Sequence, residues 1–164
     1  GAKVIELGAG LGLPGLAAWA LGASKVVLTD LDENLPRLRQ AVEANGASEA
    51  AVEVAALDWC DTSTLPTQLK GASWILAADC VFWPALFTPL LETLTMLTDA
   101  AATSPEVLLT VTSRLGRAEA FAAAADACGW RMEEVPLDGA ASFLHTRLLR
   151  LSRRACVREL ELRG

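Results

Sequence analysis

The run Lys3-Val4-Ile5-Glu6-Leu7-Gly8-Ala9-Gly10-Leu11-Gly12-Leu13-Pro14-Gly15 constrains this chain more than any other stretch. A short apolar strand runs into a loop with glycine at alternate positions, and a helix pattern follows. Alternating glycines let the backbone turn tightly and approach a ligand closely, because no Cβ intrudes. The helix behind the loop aims its first N–H groups and its positive dipole end at the same place. The run therefore predicts a strand–loop–helix cradle for a nucleotide-type ligand; a tight turn holding nothing is the alternative. Its spacing excludes two common cradles. The dinucleotide fingerprint G-x-G-x-x-G needs glycine where Leu13 stands, and a phosphate-binding P-loop needs a Gly-Lys-Ser/Thr that is absent.

The rest of the chain alternates strand and helix patterns. Strands are expected over Val4–Leu7, Lys25–Asp30, Ala51–Leu57, Trp74–Asp79 and Val107–Thr112. Between them, apolar residues recur at helical spacing: Leu13, Leu16, Ala17, Ala20 and Leu21, with Pro14 in the first turn and Gly22 as the stop. Leu35, Leu38 and Val42 do the same, with Asp32 as a candidate cap and Gly46 as the stop. Leu86 to Leu97 and the alanine-rich run Ala118–Cys128 complete the set, and Thr62–Lys70 is a short polar connection of a turn or two. Two strands then follow without a helix, about Arg131–Pro136 and Leu144–Leu151, joined by a loop at Asp138-Gly139. The expected fold is α/β, Rossmann-like: a seven-stranded, mostly parallel sheet, helices on both faces and an antiparallel C-terminal edge hairpin.

At 164 residues the chain fits one domain, and its 52% hydrophobic content suits a packed core. A net charge of −6 argues against a general nucleic-acid binder. The six arginines from Arg147 onward read as a solvated edge strand and tail, with 153–164 a basic C-terminal tail or an extension of the strand. Cys60, Cys80, Cys128 and Cys156 are too far apart in sequence for a C-x-x-C site, and His145 alone does not complete a zinc set, so no metal is expected. Reduced thiols and the absence of a long apolar run or visible signal peptide suggest a cytoplasmic, possibly nuclear, protein without a membrane association. The chain starts inside a strand without an initiator methionine and is expected to be a fragment or trimmed domain.

In open parallel sheets ligands bind beyond the carboxyl ends of the strands, near the switch in strand order. Each predicted strand ends there in a distinctive residue. Strand one ends in Glu6 and the glycines. Strand two ends in Asp30, placed to accept hydrogen bonds from ribose hydroxyls or to cap the next helix. Strand three leads into Asp58 and Trp59, a carboxylate and an indole that suit an adenine; a core tryptophan is the plainer reading. Strand four ends Ala77-Ala78-Asp79-Cys80-Val81-Phe82, with small residues that leave room for a ligand and with Asp79 where an acceptor would stand. Capping the following helix is the alternative for Asp79.

Taken in order, Glu-Leu-Gly-Ala-Gly-Leu-Gly-Leu-Pro-Gly (6–15), Leu-Thr-Asp (28–30), Leu-Asp-Trp (57–59) and Ala-Ala-Asp-Cys-Val-Phe (77–82) resemble the class I, seven-β-strand methyltransferases that use S-adenosylmethionine, in particular the methyltransferase-like 21 group. That group mostly modifies lysines on non-histone proteins, and the resemblance covers about residues 3–152. It implies that Glu6 and the loop Gly8, Ala9, Gly10 and Gly12 hold the methionine part of the cofactor. It implies Asp30 at the ribose, Asp58 and Trp59 at the adenine, and Ala78 lining the cofactor site. Asp79 through Phe82 matches the group's Asp-x-x-Tyr beside the acceptor lysine, with Phe82 lacking the phenolic hydroxyl. The group also has upstream helices, with a tryptophan near the cofactor. A chain starting at Gly1 is expected to bind the cofactor weakly and to leave one side of the sheet uncovered.

The expected activity is thus a transfer of methyl from S-adenosylmethionine to a lysine of a protein substrate. Three alternatives remain at this point. A nucleic-acid methyltransferase is disfavoured by the acidic charge and by Asp-Cys-Val-Phe where adenine-modifying enzymes carry Asn/Asp-Pro-Pro-Tyr/Phe. A small-molecule methyltransferase usually needs a lid, and the loops here are short. A catalytically weak binding scaffold of the same fold is suggested by Phe82.

Overall fold

The computed structural model describes residues 1–61, 65–101, 103–112, 116–137 and 146–154. Seven strands form one sheet: β1 (Lys3–Leu7), β2 (Lys25–Asp30), β3 (Val52–Ala56), β4 (Trp74–Ala78), β5 (Glu106–Thr112), β6 (Trp130–Val135) and β7 (Thr146–Arg153). Their order across the sheet is β3-β2-β1-β4-β5-β7-β6. The first five strands pair in parallel, and β7 runs antiparallel between β5 and β6. The expected α/β sheet with its antiparallel edge hairpin is thus what forms. Strand order switches between β1 and β4, which locates a crevice at the carboxyl edge there.

Period-2 burial splits the core in two. From β1 and β2, Val4, Val26 and Leu28 face one way and pack with Leu16 of α1 (Leu13–Ala20) and Leu35, Leu38 and Val42 of α2 (Leu35–Ala44). Ile5, Leu7 and Val27 face the other way. There they join Leu90, Leu91, Leu94 and Leu97 of α3 (Phe87–Asp99) and Phe121 and Ala125 of α4 (Arg117–Ala127). On the α1/α2 face, Trp74 and Leu76 of β4 and Leu108 of β5 remain half-buried.

Several boundaries differ from the sequence reading. Strand three is shorter, Val52–Ala56, and the final strands are shifted to Trp130–Val135 and Thr146–Arg153. β7 thus takes in Arg153 as an extension of the strand. Asp32 is not a side-chain cap. It opens a short 3₁₀ turn, Asp32–Asn34, and α2 begins only at Leu35. The connection after β3 holds a 3₁₀ turn, Thr67–Leu69, whose Leu69 is fully buried, so it is less polar in its role than in its composition. The Asp138-Gly139 loop, His145, Cys156 and the tail beyond Arg154 lie outside the described residues. Arginines near the hairpin are satisfied by neighbours: Arg147 pairs with Glu134, Arg150 with Glu106 and Arg154 with Asp126. Arg153 lies over the Trp130 ring and donates to Thr95 Oγ1. This is the plain structural reading of those charges.

Glu6 fixes how β1 meets α1. It is 1% exposed, on the α1/α2 face, and its Oε2 accepts the Gly15 N–H at 2.8 Å. Burial raises its pKa from 4.5 to about 7, the Gly15 hydrogen bond lowering it and the nearby Asp30 charge adding to the rise. Gly15 lies so close to β2 that a Cβ there would come within 2.3 Å of Leu28 Cδ2 and 2.7 Å of Glu6 Oε2.

Two outcomes are expected. Gly15→Ala, forced to part α1 from β2, loses ~2–3 kcal/mol of stability in denaturant titration. Glu6 binds its proton more tightly folded than unfolded, so its contribution is fully present below pH 4.5 and is lost as pH rises through about 7. The total is about 3 kcal/mol, read as a fall in melting temperature that Glu6→Gln flattens.

Candidate functional site

The carboxyl ends of β1, β2, β3 and β4 surround a cavity of about 300 Å³. Gly8, Asp30, Leu31, Asn34, Asp58, Trp59, Asp79 and Phe82 are among the residues that line it. This is the lower end of the size range of small-molecule sites.

The glycine loop forms the floor. Gly8, Gly10 and Gly12 all take positive φ, 59°, 58° and 76°, the left-handed region where a side chain is strained. What surrounds them differs. Gly12 is buried, and a Cβ there would press on Leu28 and Leu38. At Gly8 it would press on Cys80 Sγ and the Trp59 ring. At Gly10 nothing lies within 4 Å of a Cβ position, so this backbone is open to a ligand. The three glycines thus serve core packing, indole packing and access respectively.

Asp30 holds the loop to the end of β2. Its Oδ2 accepts the Gly10 N–H at 2.7 Å, and its Oδ1 accepts the Leu31 N–H and the Asn34 Nδ2 amide, each at 2.8 Å. Both lone pairs of Oδ1 are used and one of Oδ2 is left over. Asp58 Oδ1 accepts the Cys60 N–H at 2.8 Å, which closes a small turn beside Trp59. Trp59 is half-buried; it packs against the α3/α4 core and also lines the cavity.

β4 delivers the opposite wall. Asp79 is exposed and has φ +55°, the only non-glycine residue with positive φ among the described residues. Such a conformation costs on the order of 1 kcal/mol and concentrates at functional sites. Asp79 does not cap a helix. The next turn, Pro84–Leu86, begins after Trp83, and no side chain caps it. Beneath Asp79, Cys80 is buried with its Sγ toward the Leu7 carbonyl, 3.3 Å away. Burial, with the charges of Glu6, Asp30 and Asp79, pushes its thiol up to about 12, so it is an inert packing group. Phe82 lines the cavity while 42% exposed.

Six of the sequence-predicted residues therefore meet at one cavity: Gly8, Asp30, Asp58, Trp59, Asp79 and Phe82. Gly10 borders an adjoining hollow with Leu11, Asn34 and Arg37. Glu6, Ala9, Gly12 and Ala78 lie off this wall. The Glu6 carboxylate turns into the start of α1, Ala9 and Gly12 pack beneath the loop, and Ala78 sits within the β4–β5 pairing. Sequence reasoning missed Asn34, whose signal was an amide four residues past a strand-end acid. It also missed Leu31, and Leu86 read only as the first apolar residue of a helix pattern. Among the described residues no group of three or more His, Cys, Asp or Glu side chains is placed to hold a metal, and no helix is long and apolar enough to cross a membrane.

Comparison with known proteins agrees with this geometry. The fold is shared with the ribosomal protein L11 methylase of Lactobacillus delbrueckii subsp. bulgaricus, at a TM-score of 0.63 and 17% identity over 93% of this chain and 70% of that one. The chain is 39% identical over 123 residues to the protein N-lysine methyltransferase METTL21A of Danio rerio, covering 74% of this chain and 54% of that protein. It is 38% identical over 95 residues to EEF1A lysine methyltransferase 3 of Xenopus tropicalis, covering 57% of this chain and 41% of that protein. The chain thus spans about half the length of these relatives. The family model described as lysine methyltransferase matches residues 1–127, and the chain belongs to the lysine methyltransferase family.

Proposed function

We propose that this chain is the catalytic core of an S-adenosylmethionine-dependent protein-lysine N-methyltransferase that works in the cytoplasm or nucleus. The observation that carries this reading is the convergence on one cavity of an acid at the end of β2, an acid and indole after β3, and a strained acid after β4. Membership of the lysine methyltransferase family supports it. The net charge of −6 favours a cationic protein segment over a nucleic acid as substrate.

The residues fit such a cofactor. Asp30 keeps a lone pair on Oδ2 for a ribose hydroxyl, and Asn34, already on its Oδ1, lies on the same wall to take a second. Trp59 offers an indole surface to the adenine, with Asp58 beside it to accept from the exocyclic amine. Open backbone at Gly10 leaves space for the methionine end. Glu6, Ala9, Gly12 and Ala78 contribute by shaping the loop and the end of β4. The cofactor supplies an electrophilic methyl group on a sulfonium. What the protein must then supply is an in-line, uncharged amine. Asp79 accepts an N–H from the lysine nitrogen and so directs its lone pair, and the released proton passes to this exposed carboxylate or to water. Phe82 offers only ring carbons, so orientation falls to Asp79 and to packing.

Asp30→Ala is expected to abolish the stabilisation that S-adenosylhomocysteine gives the wild-type protein in calorimetry or a thermal shift; no wild-type binding at millimolar ligand refutes the cofactor assignment. Asp79→Gly removes the carboxylate and suits φ +55°, so it should melt no lower than wild type and bind S-adenosylhomocysteine normally. Its methyl transfer should fall by about 10²-fold or more. Labelled S-adenosylmethionine incubated with cell lysate should mark lysines of protein; label confined to RNA or metabolites refutes the acceptor.

A further inference from the structure

Phe82 and Trp83 are large apolar side chains left in water, 42% and 61% exposed, at the mouth of the cavity. Their rings meet edge to face with centroids 6.3 Å apart. Phe82 lines the cavity, and Trp83 is the next residue outward on the same segment. Neither backbone is loose. Pro84 confines Trp83 to extended geometry, φ −112° and ψ 117°, and the Trp83 carbonyl accepts the Leu86 N–H at 2.9 Å. On the inner side Cys80 and Val81 are buried in the α3/α4 core. The backbone thus holds two large apolar side chains partly in water, where burial contributes little to the fold. It pre-pays the ordering cost of a contact with something else.

From this geometry we infer that Phe82 and Trp83 form an aromatic track which takes the acceptor lysine from the surface to Asp79, with Trp83 as a specificity-determining residue for the protein substrate. The inference rests on the lysine reading above. Trp83 meets the substrate outermost, Phe82 packs against the methylene stem, and the Asp79 carboxylate waits at the inner end. The two ring faces attract the ammonium on its way in and the carboxylate receives it, so the track is complementary to lysine in both shape and charge. The indole stands outside the cavity lining, so it serves the acceptor and not the cofactor.

The test compares wild type, Trp83→Ala and Trp83→Phe, using labelled S-adenosylmethionine and a pool of random-sequence peptides that each carry one central lysine. Circular dichroism should show equal folding, because the side chain is exposed. S-adenosylhomocysteine affinity should be equal in all three. At sub-saturating peptide, Trp83→Ala should label the pool about tenfold more slowly through KM, and Trp83→Phe should recover most of the rate. An active wild type with an equally active Trp83→Ala overturns the track alone. A cofactor-affinity loss in Trp83→Ala that accounts for its rate also overturns it. A wild type that binds S-adenosylhomocysteine but labels no lysine overturns the lysine reading, and the track with it.

Discussion

The Glu6 carboxylate accepts the Gly15 N–H from inside the core, and how the chain passes from β1 to α1 depends on this bond. The bond holds the first turn of α1 against the sheet, where Gly15 lies almost on Leu28. With both ends of the loop fixed, residues 8–12 have only a tight course available, which they follow with left-handed backbone at Gly8, Gly10 and Gly12. The Asp30 carboxylate then fastens the middle of that loop at Gly10. Two acids, one buried and one at the rim, thus hold a segment that has almost no side chains of its own. Burying the first is costly, as its raised pKa records, and the cost falls where the binding surface is made.

The far wall is built by a different device. The residue after β4 is held in a conformation that favours glycine, and that residue is aspartate. The strain turns the chain sharply enough for Cys80 and Val81 to re-enter the core while Phe82 and Trp83 emerge. A regular strand end would alternate inward and outward and could not bring two neighbours out together.

Much of this could be read from the residues. Alternating strand and helix patterns gave the layer architecture, because each apolar period must bury a face. The strand-end acids stood out because polar groups at the ends of apolar runs are few. Three matters were not legible. Asp32 looks like a cap by type and place, yet the 3₁₀ turn moves the helix start past it and Asp30 takes the nearby donors. Glu6 looks like a ligand contact because it precedes the glycines, but strand alternation points it under α1. Asn34 offered only its place four residues past Asp30, and its role depends on a hydrogen bond across a turn whose type the sequence leaves open. Local periodicity reports which face a residue belongs to; it does not report which of two nearby carboxylates a donor will choose.

The division of the core by the sheet has a consequence for what can vary. The glycine loop rests on the α1/α2 layer, whereas the segment from Cys80 to Phe87 is rooted in the α3/α4 layer. The two layers meet at Gly8, which lies against Cys80 and the Trp59 ring; away from that contact the sheet separates substitutions beneath one wall from the other. What the β4 side presents to solvent can therefore change while Gly12 and the Asp30 bond to Gly10 keep the loop in place. One glycine-loop scaffold can in this way carry different surfaces on its β4 side without being rebuilt.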